Sequence, residues 1–262
     1  GDSDAKGAPI LLGGFKESSA LMGVDLITTI DKTVQLSIEK KLKEGIEKYG
    51  AIGGSVVVMD PKSGRVLGMA SYPSFDPKKY NEYSDALFKN PVISDTFEPG
   101  SIFKILIMAS ALDAKAVRPD TICDTCSGPL KVDKYEIETW DNKYYPDSTM
   151  TDVILHSDNV GMAFVGEKLG ADSLYDYLDK FGIGKETGID LQGEVALPLR
   201  KKGTWNIVDL ATASFGQGVA VTSIEMIRAV SAVANGGMMP TPFVALALKG
   251  EGCQEEKKPK LE

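Results

Sequence analysis

Apolar side chains recur every four residues at Val34, Ile38, Leu42 and Ile46, with charged residues between them. That spacing predicts an amphipathic helix, opened by Asp31 as its N-cap and ended at Gly50. The pattern then changes. In "GSVVVMDPKSGRVLGMAS" two apolar runs flank Asp-Pro-Lys-Ser-Gly, which predicts two strands joined by a turn. After a loop rich in Pro, Tyr and Asp, the stretch from Ser101 to about Ala114 is apolar almost all round. It predicts a helix at the centre of a domain, burying Ile102, Ile105, Leu106 and Met108. Residues 116–150 are loop-rich, with short strand candidates in "PLKVDKYEIETW". Helical patterns resume in "TMTDVILHSDNVGMAFVGEKLG" and "DSLYDYLDKFG". A last helix, "TSIEMIRAVSAVANGG", opens on a capping box of Thr222 and Glu225 and closes at Asn235-Gly236. No internal repeat is evident. Strands at one end with helices through the middle give an α+β class, a helical subdomain beside an antiparallel sheet.

Composition narrows the function classes. A formal net charge of −8 and the absence of any basic run exclude nucleic acid as a partner, because nothing is present to neutralise phosphates. No stretch reaches the eighteen or so apolar residues of a membrane span, and no signal peptide is visible. If the protein works outside the cytoplasm, an export and anchoring segment is expected upstream of Gly1. Cys123 and Cys126 form a C-x-x-C, but the single histidine, His156, is distant in sequence and Cys253 lies in a charged tail. A zinc site wants four ligands. No metal and no cofactor is expected, and the pair reads as a local disulfide or as two unrelated thiols.

The chemistry-bearing residues lie in two places. In "FEPGSIFK", Ser101 and Lys104 stand three apart, one turn along a helix face. Pro99-Gly100 puts Ser101 in the first turn, where free N–H groups make the field positive. That field and apolar burial both disfavour an ammonium ion, which lowers a lysine's pKa and suits Lys104 to act as base beside a Ser101 nucleophile. A capping serine and a snorkelling lysine is the plainer alternative. In "HSDNVGM", Ser157 and Asn159 sit two apart on a loop between helical stretches. Ser157 suits proton relay to a leaving amine, and Asn159 suits holding a substrate amide; a polar turn is the plainer alternative here.

Together with "DLITTIDKTVQ", "GSVVVMDPKSGRVLGMASYPSFDP", "FGIGKETGIDLQGE" and "DLATASFGQGVAVTSIEMIRAVSAVANGG", these motifs resemble the transpeptidase domain of class B penicillin-binding proteins. The resemblance covers roughly residues 24–245. It implies a penicillin-binding-protein/serine β-lactamase-like fold over 24–262, with residues 1–23 the end of an upstream pedestal region. It implies an extracytoplasmic D,D-transpeptidase, membrane-anchored through an N-terminal segment, that cross-links peptidoglycan stem peptides ending in D-Ala-D-Ala. β-Lactam antibiotics would acylate it, and a membrane wall-synthesis glycosyltransferase would be its partner. Ser101 then resembles the nucleophile and Lys104 its base, with Ser157 and Asn159 the second motif. Gly216 and Gly218 resemble a segment near the cleft and carry no assigned chemistry.

The resembled family's third motif, Lys-Thr-Gly or Lys-Ser-Gly on a strand beyond "ANGG", is not spelled after Gly237. Lys62-Ser63-Gly64 lies in the early turn, and Lys202-Gly203-Thr204 has the wrong order. The resemblance thus implies a chain stopped before that motif or one whose missing segment is supplied elsewhere, natural loss being the remaining alternative. The sheet is then incomplete and one of two oxyanion-hole donors missing. Loss of one such donor costs about 10²- to 10³-fold in rate. A class A β-lactamase reading lacks its water-activating Glu, since neither Glu186 nor Glu194 has an Asn four residues on. A β-lactam sensor, a wall-synthesis scaffold and a carboxypeptidase are the remaining alternatives.

Overall fold

A computed structural model describes residues 23–250, 253–257 and 259–262. The chain divides into two compact units. In the smaller, β1 (Asp25–Thr28) pairs antiparallel with β8 (Ala245–Gly250), which pairs in turn with β9 (Cys253–Glu256). Cys253, in the charged tail, opens a strand.

The larger unit begins with α1 (Lys32–Tyr49). Asp31 caps it by accepting from Thr33 N and Val34 N, and Gly50 ends it at φ 61°. Its apolar stripe lies directly on the hairpin of β2 (Gly54–Met59) and β3 (Val66–Tyr72). Two strand glycines make room for it. A Cβ on Gly68 would stand 2.9 Å from Ile38 Cδ1, and one on Gly54 would stand 3.2 Å from Leu42 Cδ1. The joining turn is held by Asp60, whose carboxylate accepts from Ser63 Oγ and Lys62 N. Lys62-Ser63-Gly64 is therefore turn chemistry, as its sequence context predicts.

The outer edge of β3 is closed by α1 and by residue 243. Gln35 donates Nε2–H to Met69 O and accepts from Met69 N, both at 2.8 Å. Asp31 N donates to Leu67 O and Val66 N to Phe243 O. Among the described residues β2 has β3 as its one strand neighbour.

Short elements α2 (Pro91–Ser94) and β4 (Thr96–Phe97) lead into a 3₁₀ turn, Gly100–Phe103, and then α3 (Lys104–Asp113). The hairpin of β5 (Leu130–Val132) and β6 (Tyr135–Ile137) precedes α4 (Met150–Leu155), α5 (Asn159–Leu169) and α6 (Ala171–Lys180). Next come α7 (Ile207–Ala213), β7 (Val221–Thr222), which pairs with β4, and α8 (Ser223–Ala234). The expected Thr222–Glu225 capping box opens α8. Glu225 is buried and also accepts from Gly184 N.

The main core joins α3 and α5, through Phe103, Leu106, Ile107, Met162 and Phe164, and includes Cys123 and Cys126. Those cysteines are disulfide-bonded. A second cluster, around Val66, Val92, Ile93 and Ile224, seats the hairpin on α2 and α8. One expectation is corrected. Of the four side chains expected inside, Leu106 and Met108 are buried, but Ile102 is 50% exposed and Ile105 42%. α5, α6 and α8 cover the side of α3 that carries Lys104, Leu106, Ile107 and Met108, and leave Ile105 uncovered.

Gly161 lets α4 and α5 touch. A Cβ there would meet Val153 Cγ2 at 2.4 Å, and Val153 is itself buried and β-branched. Gly161→Ala is expected to destabilise the chain by about 1–3 kcal/mol through overpacking, read as a lowered denaturant midpoint at unchanged slope.

Candidate active site

Ser101 is exposed in the 3₁₀ turn, and Lys104 follows at the start of α3 with 2% of its surface exposed. Lysine carries three donors, and here all three find oxygen. Nζ donates to Ser157 O at 2.6 Å, Ser157 Oγ at 3.1 Å and Asn159 Oδ1 at 2.8 Å. Burial pushes the Lys104 pKa down to about 8, and the negative charge of Asp158 works against that fall. Desolvation is the larger of these two effects. Among the described residues no hydrogen bond joins Ser101 Oγ to Lys104 Nζ, so the lysine is turned towards the second motif.

The second motif is built by the way α4 stops. Ser157 N donates to Ile154 O and Asp158 N to Val153 O, the paired bonds of a Schellman motif. His156 is the C-cap, so Ser157 takes the position where glycine is usual. It does so at φ 53°, a left-handed conformation that costs a non-glycine residue roughly 1–2 kcal/mol. Its carbonyl is thereby aimed at Lys104. His156 stacks on Tyr145 with ring centroids 3.9 Å apart, which adds a side-chain anchor to the same helix end.

Asp158 then caps α5, accepting from Val160 N and Gly161 N through Oδ1. Asn159 is the first residue of that helix rather than part of a free loop. Its amide orientation follows from its neighbours, since a lysine only donates and a carbonyl only accepts. Oδ1 faces Lys104, and Nδ2 donates to Glu138 O at 3.0 Å. One hydrogen of Nδ2 is left for another acceptor.

Sequence reading gave Gly216 and Gly218 no chemistry, and the geometry supplies their role. Gly100 N donates to Gly216 O, and Gly218 N donates to Glu98 Oε1. A Cβ on Gly216 would stand 2.2 Å from Gly100 O, main chain against main chain. The residues on either side of Pro99 are thus pinned immediately before Ser101. Glu194, weighed above as a hydrolytic base, is taken up by Thr187 N, Thr187 Oγ1 and Gly188 N.

This geometry has counterparts. Residues 54–262 match the family model described as the penicillin binding protein transpeptidase domain. The chain belongs to that family. It is 39% identical over 229 residues to stage V sporulation protein D of Bacillus subtilis, covering 85% of this chain and 35% of that protein. It is 31% identical over 214 residues to the peptidoglycan D,D-transpeptidase FtsI of Escherichia coli, covering 82% and 36% respectively. Among solved structures, penicillin binding protein 3 of Mycobacterium tuberculosis complexed with ampicillin superposes with a TM-score of 0.87 at 28% identity, over 95% of this chain and 55% of that one. The chain thus spans about a third of the length of the curated relatives it matches. The expected transpeptidase fold is the one observed. The expectation for residues 1–22 lies outside the described residues.

Gly216→Ala is expected to cut labelling of the chain by a fluorescent β-lactam at least tenfold, because the added methyl displaces the Gly100 backbone that leads into Ser101. Gly203→Ala is the control. That residue has a similar φ, 79°, but open space around it, so labelling should be unchanged.

Proposed function

We propose that this chain is the acyl-transfer part of a peptidoglycan D,D-transpeptidase, with Ser101 as nucleophile. One observation carries the reading: a buried lysine, one turn after an exposed serine, is held by the Ser157–Asn159 motif. Membership in the transpeptidase family supports it.

Ser101 Oγ attacks the carbonyl of the D-Ala-D-Ala bond in a stem peptide, and its proton passes to neutral Lys104. The resulting ammonium is received by oxygens already in place, the Ser157 carbonyl and hydroxyl and Asn159 Oδ1. A proton returns through Ser157 Oγ to the departing D-alanine amine as the tetrahedral intermediate collapses. An amine from a neighbouring stem then resolves the acyl-enzyme and forms the cross-link. The free hydrogen of Asn159 Nδ2 suits the acyl donor's amide carbonyl. β-Lactams enter by the same attack, and likeness to a chain solved with ampicillin supports their binding here.

The extracytoplasmic setting, the membrane anchor and a glycosyltransferase partner rest on the family's role in wall synthesis. No helix of the described residues is long and apolar enough to cross a membrane.

Intact-mass measurement after incubation with benzylpenicillin should show a single adduct mapping to Ser101. Ser101→Ala should show none, and an adduct that persists in that variant defeats the nucleophile assignment. The base must be neutral to work, and its neutral fraction rises with pH through a midpoint of about 8 and saturates above it. Acylation at limiting β-lactam should therefore accelerate about tenfold per pH unit well below that midpoint and level off above it. A rate flat from neutral pH upward removes Lys104 as the base.

A further inference from the structure

Asp158 is the residue of the second motif for which neither proton relay nor substrate contact gives a use. Its side chain is 2% exposed. Oδ1 caps α5 by accepting from Val160 N at 2.8 Å and Gly161 N at 3.1 Å. Oδ2 is buried and has no hydrogen-bond partner.

Capping alone does not explain a carboxylate here. Serine or asparagine caps a helix as well as aspartate does and brings no charge to bury. A buried charge with an unsatisfied oxygen is costly unless something opposite in sign lies near. The opposite sign is Lys104. Its Nζ bonds to Ser157 and Asn159, the residues on either side of Asp158. Among the described residues Asp158 is the one charged side chain whose field acts appreciably on it. Ser157 and Asn159 face the same nitrogen with neutral groups, and Glu138 reaches the cluster through its main-chain carbonyl.

We propose that Asp158 is the fixed counter-charge of Lys104, a positioning residue that stabilises the ammonium formed when Lys104 takes the proton of Ser101. The orphan oxygen is then functional: with no donor to neutralise it locally, its charge is spent on the lysine. The logic parallels the buried aspartate of a serine-protease triad, which stabilises the imidazolium without itself taking up the proton. Asp158 acts at longer range, through the field and not through a direct ion pair. Its part in catalysis rests on the reading of Lys104 as base, while its effect on the lysine's proton affinity can be measured without any reaction.

The test is a pH titration of the Lys104 side chain by NMR in the chain labelled with ¹³C at lysine Cε. The signal is assigned by its loss in Lys104→Arg. Asp158→Asn and Asp158→Ser both retain a capping oxygen, and the backbone amide spectrum reports whether each stays folded. The expected result is a titration midpoint moved to lower pH, with proton affinity down about tenfold. A residue that only capped α5 would leave the midpoint in place, so an unchanged midpoint in either folded variant overturns the proposal. Loss of the fold in both variants also overturns it, by assigning the charge to the fold. Benzylpenicillin labelling of the unaltered chain is run in parallel. No adduct on Ser101 there defeats the proposed function, while the titration still decides the role of Asp158.

Discussion

A lysine nitrogen withdrawn from water must be met by oxygen on every side it donates to, and much of the site's architecture follows from that demand. The three acceptors of Lys104 come from the break between two consecutive helices and from the first residue of the second. For the Ser157 carbonyl to point inward, α4 must end in a left-handed residue. For Asn159 to present Oδ1, α5 must begin at once, which requires a cap at Asp158. Close contact between those helices then leaves no space for a side chain at position 161. The lysine's position in α3 closes the arrangement, because only the inward face of that helix reaches α5.

Ser101, the proposed nucleophile, is governed by a separate constraint. It leaves the main chain at a turn whose preceding glycine is pressed against Gly216, while Glu98 takes the amide of Gly218. Steric contact and two hydrogen bonds fix where the serine emerges. Lys104 is fixed by polar burial. One half of the site therefore tolerates no added volume, and the other no lost oxygen.

Much of this was legible in the chain. Asp31, Gly50, the Asp60 turn and the Thr222–Glu225 capping box announce element ends by local chemistry that does not depend on distant residues. The Ser101–Lys104 spacing and the tripeptide at 157–159 pointed to the candidate residues, and the structure brings Lys104, Ser157 and Asn159 together. What escaped depended on non-local placement. The apolar run at 101–114 could not tell which face would be covered, so Ile102 and Ile105 read as core when they are exposed. β1 and β9 are short, and β9 is mostly polar, so pairing across the sequence defines them where no period does. Residues 157–159 read as a loop, so neither the Asp158 cap on α5 nor its buried second oxygen was foreseen. Gly216 was placed near the cleft by resemblance, but its contact with Gly100 depends on residues far apart in the chain.

The side-chain amide of Gln35 occupies the place on β3 that a neighbouring strand's peptide group would take. With Asp31 N on Leu67 O and Phe243 O on Val66 N, four backbone groups of that border are already taken. A glutamine side chain thus stands in for a strand there, and among the described residues the border left without such partners is the one along β2.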